Sequence, residues 1–360
     1  VNSPVTGDTQ PVTATADDAA GQETYRREPR WANQRLGLVV VIGLLIVVFG
    51  ALKPVFFDER LVMFPLLTDV AIYTVVAMSQ MVVLSIGHMN LAVGRMAAFS
   101  AMFAGMSFDL WGLPFYLGMV IGLVAGAAVG ALAGLVIAMM RVNSFVVTLA
   151  MDFTLLGLIP LVYARYTEAA AFTTKPPGMA ELRQYSMADV CVGDVCGSPA
   201  IPQMLLLTLV AMALVGWLYR RAKLGREILM TGANVRAAEL SGIPTARRIV
   251  FVHALSGTLA GLAGFMLAVD TGSFKASIGT DFLLPSFLGA ILGGTLLVGG
   301  VVSIIGAALG TTLVLVIRRG LDLLGIGLES LNIYLGVILL LAVSTERVRS
   351  MLFRAGGGTR

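Results

Sequence analysis

The sequence predicts an all-α fold, a polytopic bundle of about ten transmembrane helices. Three observations carry this reading. The 360 residues are 57% hydrophobic and only 13% charged, whereas soluble domains run about 25% charged. The apolar residues come in runs close to the roughly 20 that one bilayer crossing requires. The short alternating segments of a transmembrane β-barrel do not occur.

Taken in chain order, residues 1–24 are rich in Thr, Ala, Asp and Pro without apolar periodicity, and read as a disordered tail. They lack the basic start and apolar core of a signal peptide. Tyr25–Arg35 carries four arginines beside the first apolar run, so residues 1–35 form a basic-ended cytoplasmic tail. Ten candidate spans follow within a membrane region over 36–345: Leu36–Leu52, Leu61–Ile86, Met96–Trp111, Leu113–Met140, Phe145–Tyr163, Ile201–Tyr219, Ile249–Val269, Phe282–Val298, Val301–Ile317 and Ile326–Val343. Residues 346–360 are a second cytoplasmic tail. With both termini inside, 17 of the 25 Lys and Arg residues face the cytoplasm, as the positive-inside rule asks. Arg318 and Arg319 fit it worst. The net charge of +4 is spread over span-flanking loops, so it reports orientation in the lipid bilayer and not a nucleic-acid footprint.

The most basic polar interruption runs from Arg220 to Arg248 and holds seven Lys or Arg residues. Asn234 is placed to cap a short helix over Val235–Ser241, Gly242 to stop it, and Pro244 to forbid continuation. This cytoplasmic helix suits docking to a soluble partner. A longer polar loop, Ala164–Ala200, lies on the opposite side and balances three basic residues with four acidic ones. It contains Cys191 and Cys196. A disulfide there is compatible with an oxidising compartment, but spacing alone does not establish the geometry.

Several polar residues sit at membrane depth. Gly87 and Gly94 bracket the junction Ser85–Arg95, which is either a broken-helix element at a transport pathway or an ordinary turn. Asp152, inside the fifth span, either faces a pathway or hydrogen-bonds a neighbouring helix. Ser79, Gln80 and Ser85 are further polar groups on the second span, and Asp69 lies near its outer end. Asn143 and Ser144 precede Phe145 at a helix start, where capping is the simpler role. His88 and His253 are the only histidines and are not at metal-ligand spacing, so no metal site is expected. The glycine-dense stretches Gly122–Gly134 and Gly257–Gly264 suit close helix packing. A phosphate-binding loop needs a Gly-Lys pair. The four lysines are Lys53, Lys175, Lys223 and Lys275, and none follows a glycine.

Four stretches, in order, resemble the permease subunits of bacterial ABC importers of the ribose or monosaccharide type. Ile86–Arg95 is similar to that family's GG-I-D-L-S-V-G-S. Asn143–Ala150 resembles its P-P-F-I-V-T-L-G. Gly232–Ile243 matches G-x-N-x-x-A-A-x-x-S-G-I, and Ala290–Gly300 resembles A-x-x-L-G-G-T-S-L-x-G-G. The first motif departs most: Asn90 replaces the family Asp, Ala92 and Arg95 replace its serines, and His88 stands where Gly is usual. The resemblance implies a type II ABC-importer-like fold. It implies that Asn234, Arg236, Ala237, Ala238, Glu239, Ser241 and Gly242 form a helix coupled to an ATP-binding cassette subunit. It further implies a second permease subunit, as homo- or heterodimer, and an extracytoplasmic solute-binding protein. ATP and Mg would be held by the partner, with no cofactor on this chain and no catalysis by it. The substrate pathway would draw on Ser79, Gln80, Ser85, Asn90, Asn143, Ser144, Phe145 and Asp152. The expected cargo is a monosaccharide or related polyol. A branched-chain amino acid permease, or an ion-coupled transporter using Asp152, are the alternatives.

Overall fold

The computed structural model describes residues 30–168, 170–186, 191–192, 195–196, 198–325, 333 and 336–337. The helices are α1 (Arg30–Leu52), α2 (Phe64–Leu84), α3 (Val93–Asp109), α4 (Phe115–Met140), α5 (Ser144–Tyr166), α6 (Met179–Gln184), α7 (Met204–Arg220), α8 (Lys223–Ala233), α9 (Val235–Leu240), α10 (Thr245–Thr271), α11 (Leu283–Leu292) and α12 (Ile304–Leu323). Short helical turns at Pro54–Phe57 and Glu59–Met63 link α1 to α2, and two short antiparallel pairs complete the described elements, β1 (Ala171–Phe172) with β4 (Phe274–Lys275) and β2 (Cys191–Val192) with β3 (Val195–Cys196).

The bundle is built around α2, in which every residue from Ala71 to Leu84 is buried. Such a helix, buried on every face, is enclosed by other helices. Helices α7, α10, α11 and α12 pack on it, and α10 packs in turn on α3 and α4. The α4–α10 seam depends on the two glycine-dense stretches. A Cβ on Gly126 or Gly130 would overlap the carbonyls of Gly257 or His253, and one on Gly257 would overlap Gly126. The expected role in close packing is therefore met by direct backbone-to-backbone approach. Helices α1 and α5 are peripheral and leave many large apolar side chains exposed.

Six helical segments are long and apolar enough to cross a bilayer, and α7 with α8 would add a seventh if that pair, bent by 72°, is one span. The count of ten is thus not reached among the described residues. Helix α3 has 17 residues and α11 only 10. The expected span Phe282–Val298 stops at Leu292 because glycines follow, with Gly294, Gly299 and Gly300 at φ of 88°, 89° and 80°. The expected span Val301–Ile317 instead runs on to Leu323 and includes Arg318 and Arg319. Arg319 donates to the Leu61 carbonyl at 2.9 Å and pairs with Asp322 at 3.5 Å, while Arg318 lies beside Asp69 and Tyr73. The two arginines therefore have local partners at the end of the bundle where α2 begins. Of the expected span Ile326–Val343 only residues 333, 336 and 337 are described; Glu329 and the tails over 1–29 and 346–360 lie outside the described residues.

At that same end the loop after α5 is more structured than a plain polar connection. Strand β1 pairs with β4, α6 follows, and the Tyr163 hydroxyl donates to the Phe274 carbonyl at 2.8 Å. Phe108, Phe115, Phe265 and Phe274 pack into one aromatic cluster beneath it, and Phe172 packs on the Tyr163 ring. The β2–β3 register sets Cys191 opposite Cys196 along the backbone; their side chains lie outside what is described.

Candidate functional site

The far end of the bundle gathers three of the sequence motifs. Helix α2 ends at Leu84, and the chain turns through Ser85–Gly87 before α3 starts at Val93. The junction after α11 and the end of α8 meet this break. The Gly300 amide donates to the Ser85 carbonyl at 2.9 Å. A Cβ on Gly232 would overlap that same carbonyl, one on Gly299 would lie 2.7 Å from the Gly87 nitrogen, and one on Gly87 would lie 3.0 Å from the Val298 carbonyl. Three backbones thus touch where no side chain fits. Tyr219, at the end of α7, donates its hydroxyl to the Ser85 hydroxyl at 3.0 Å. Ser85 is also tied to the Val82 carbonyl at 2.6 Å.

Below this junction stands the basic loop. Its short helix forms over Val235–Leu240, as its sequence signals predict. The Asn234 side chain accepts from the Ala237 amide at 3.0 Å, and Gly242 takes φ 78°. Ala238 is buried, whereas Arg236, Ala237, Glu239, Ser241 and Gly242 are exposed and Leu240 is 86% exposed. Glu239 accepts from the Thr245 hydroxyl at 3.0 Å; among the described residues it makes no ion pair with Arg236. Sequence reasoning missed α8, whose buried Gly225, Ile228 and Thr231 recur at three-residue spacing. Glu227 on α8 pairs with Arg248 on α10 at 2.6 Å and locks the loop to the bundle. The spacing of Glu227 and Arg248, 21 residues apart, gave no local signal.

The residues expected to line a pathway divide into two groups. Ser79, Gln80, Ser85 and Asn90 are fully buried, and Ser144 nearly so. Asn90 donates to the Ser256 hydroxyl at 3.0 Å and accepts from the Ala92 amide at 3.0 Å, while Ser79 donates to the Ser256 carbonyl at 2.9 Å. This small network stitches α2 and the break to α10. The Gln80 amide has no partner among the described residues. Ser144 and Thr148 accept from the Met89 and Leu91 amides at 3.1 and 3.2 Å, so the start of α5 holds the broken backbone. Asn143 caps α5 through the Phe145 amide at 2.9 Å.

The second group faces outward. Phe145 is exposed, and Asp152 is half-buried beside Arg95 at 3.9 Å. Arg95 and Asp152 line a groove of about 150 Å³ together with Leu91, Gly94, Leu149, Gly279, Thr280 and Leu283. Arg95 thus supplies the charge partner that Asp152 lacks on its own helix. The two histidines, remote in sequence, also meet: His88 Nδ1 lies 3.3 Å from His253 Nε2. Among the described residues no group of three or more His, Cys, Asp or Glu side chains is arranged to hold a metal ion.

Comparison with known proteins gives this geometry its context. The family described as "Branched-chain amino acid transport system / permease component" matches residues 62–343. The chain belongs to this permease family. The permease is 32% identical over 319 residues to the ribose import permease protein of Bacillus subtilis (strain 168), covering 88% of this chain and 94% of that one. It is 31% identical over 346 residues to the L-arabinose ABC transporter permease protein of Azospirillum brasilense, at 95% and 96% coverage. It is 27% identical to the fructose import permease protein of Rhizobium meliloti, at 86% and 84% coverage. No solved structure matches. Membership and the apolar helices make the permease a multi-pass inner-membrane protein.

Proposed function

We propose that this permease is the membrane subunit of an ATP-driven importer for a monosaccharide or related polyol. It would work with ATP-binding cassette subunits, which hold ATP and Mg, with a second permease copy or paralogue, and with a solute-binding protein outside. The observation that carries the coupling role is α9: a capped helix, held to the bundle through Ala238, that presents the 86% exposed Leu240 to solvent. An apolar side chain so exposed on a basic, rigid projection fits a groove on a soluble subunit. The sugar-named relatives support the cargo class, and the amino acid wording of the family description is the competing choice. The pairing of Asp152 with Arg95 argues against an ion-coupled carboxylate, since an attached guanidinium already compensates its charge.

The test is reconstitution of the permease with its ATP-binding subunits and binding protein in proteoliposomes. ATP-dependent uptake of a pentose or hexose is expected, with no uptake of leucine. Leucine uptake alone, or sugar uptake driven by an ion gradient without ATP, would overturn the reading.

A further inference from the structure

The end of the bundle opposite α8 and α9 contains a cavity of about 710 Å³, between the start of α2, helix α6 and the end of α10. Small-molecule sites fall at about 300–1,000 Å³. Its wall holds Asp69 and Asp270, both half-buried, and its rim holds the exposed Arg60 and Arg183. None of these four closes an ion pair within 4 Å among the described residues. Arg318 stands behind Asp69, and the Arg183 guanidinium lies against the Gly272 backbone. Nothing in the coupling machinery or the Asp152 groove uses this space.

From this arrangement we infer that the cavity is a sugar-binding site on the extracytoplasmic side of the permease. A carboxylate only accepts hydrogen bonds and a guanidinium only donates them, whereas each sugar hydroxyl does both. Two carboxylates on the wall and two guanidiniums on the rim therefore suit a ligand carrying several adjacent hydroxyls. With both signs present, the lining selects by hydrogen-bond pattern and not by net charge. Phe64 and Tyr185, also on the lining, offer aromatic surface to the apolar face of a sugar ring. Acidic side chains recessed behind exposed basic ones leave the mouth open to a ligand released at the outer face. The inference rests on the sugar-importer reading above and adds a place where cargo pauses before translocation.

The experiment has two arms. In the first, wild-type transporter in proteoliposomes is screened for binding-protein-dependent uptake of D-ribose, L-arabinose, D-fructose and leucine. In the second, the permease–ATPase complex without binding protein is titrated with the radiolabelled sugar that the wild type transports. Saturable binding is expected, weakened about tenfold or more by Asp270→Asn and by Arg183→Gln, as loss of a charge-assisted hydrogen bond predicts. Glu181→Gln, on the exposed part of α6, is expected to leave it unchanged. Both variants are checked for intact assembly by basal ATPase rate. Sugar uptake by the wild type with no direct binding, or binding indifferent to both variants, overturns the cavity site while leaving the importer reading standing. Failure of sugar uptake in the first arm overturns the importer reading itself.

Discussion

At the scale of single residues, Asn90 shows how position decides role. Its amide is fully buried, with a donor to Ser256 and an acceptor for Ala92. Asn90→Ala leaves the Ala92 amide and the Ser256 hydroxyl short of partners, at about 1–3 kcal/mol, and is expected to lower the thermal midpoint of the purified permease. An unchanged midpoint would mean the network is dispensable. Arg95 and Asp152 form a second residue-scale case. Removing either one strands the other charge in a half-buried groove, whereas removing both strands neither. A double-mutant cycle of Arg95→Met and Asp152→Leu is therefore expected to show a double variant more stable than the sum of the single losses. Strict additivity would show that the 3.9 Å pair carries no coupling. In the sequence, Asp152 was visible as a polar exception within an apolar run and Arg95 as the last residue of the polar junction Ser85–Arg95. Asp152 could be flagged by its cost in a membrane, but its partner lies 57 positions away. The same distance hid the contacts of Ser256, Thr148 and His253, because side-chain pairing across helices leaves no local trace.

At the scale of elements, the legible features are those whose determinants are local. Helix α9 follows from Asn234, Gly242 and Pro244 within eleven residues, and its cap and stop form as expected. The packing seam of α4 on α10 was legible as glycine density, though which glycine meets which was not. Helix α11 was overdrawn because hydropathy alone counts Gly293–Val298 as apolar, while the glycines there adopt conformations that end a helix. The meeting of Ser85–Gly87, Gly232 and Gly299–Gly300 has a mechanical consequence. It places the base of the basic loop in backbone contact with the broken ends of two membrane segments. Gly232→Val puts side-chain atoms where the Ser85 carbonyl now lies. Relief of that overlap by backbone shifts costs about 1–3 kcal/mol, and sugar uptake is expected to fall while ATP hydrolysis by the assembled complex continues. Equal loss of both would reduce the junction to a folding element. Leu240→Asp should act differently, abolishing stimulation of uptake by ATP through loss of subunit docking, with co-purification of the ATP-binding subunit as the readout. Retained co-purification would argue against α9 as the contact.

At the scale of the molecule, one axis organises everything. Helix α2 runs from the cavity lined by Arg60 and Asp69 to the junction at Ser85, and α10 runs back from Thr245 beside Glu239 to Asp270 beside the same cavity. The two ends differ in chemistry. One presents a basic loop with a capped helix and the other presents paired strands, α6 and a mixed-charge cavity. We propose that the first end, with its basic loop, faces the cytoplasm, as the positive-inside rule asks. Arg318 and Arg319 appear to break that rule only when counted as bare charges. In the fold one donates to the Leu61 carbonyl and pairs with Asp322, and the other sits by Asp69, so their charge is offset locally. This orientation is directly testable. In a background where Cys191 and Cys196 are replaced by serine, single cysteines at the exposed Glu239 and Lys53 mark the two ends. In intact cells a membrane-impermeant maleimide should label Lys53→Cys and spare Glu239→Cys until the membrane is opened. The reverse pattern would invert the molecule. It would place the basic loop outside, away from any ATP-binding subunit, and turn the cavity toward the cytoplasm, so that both the coupling role of α9 and the entry role of the cavity would fall together.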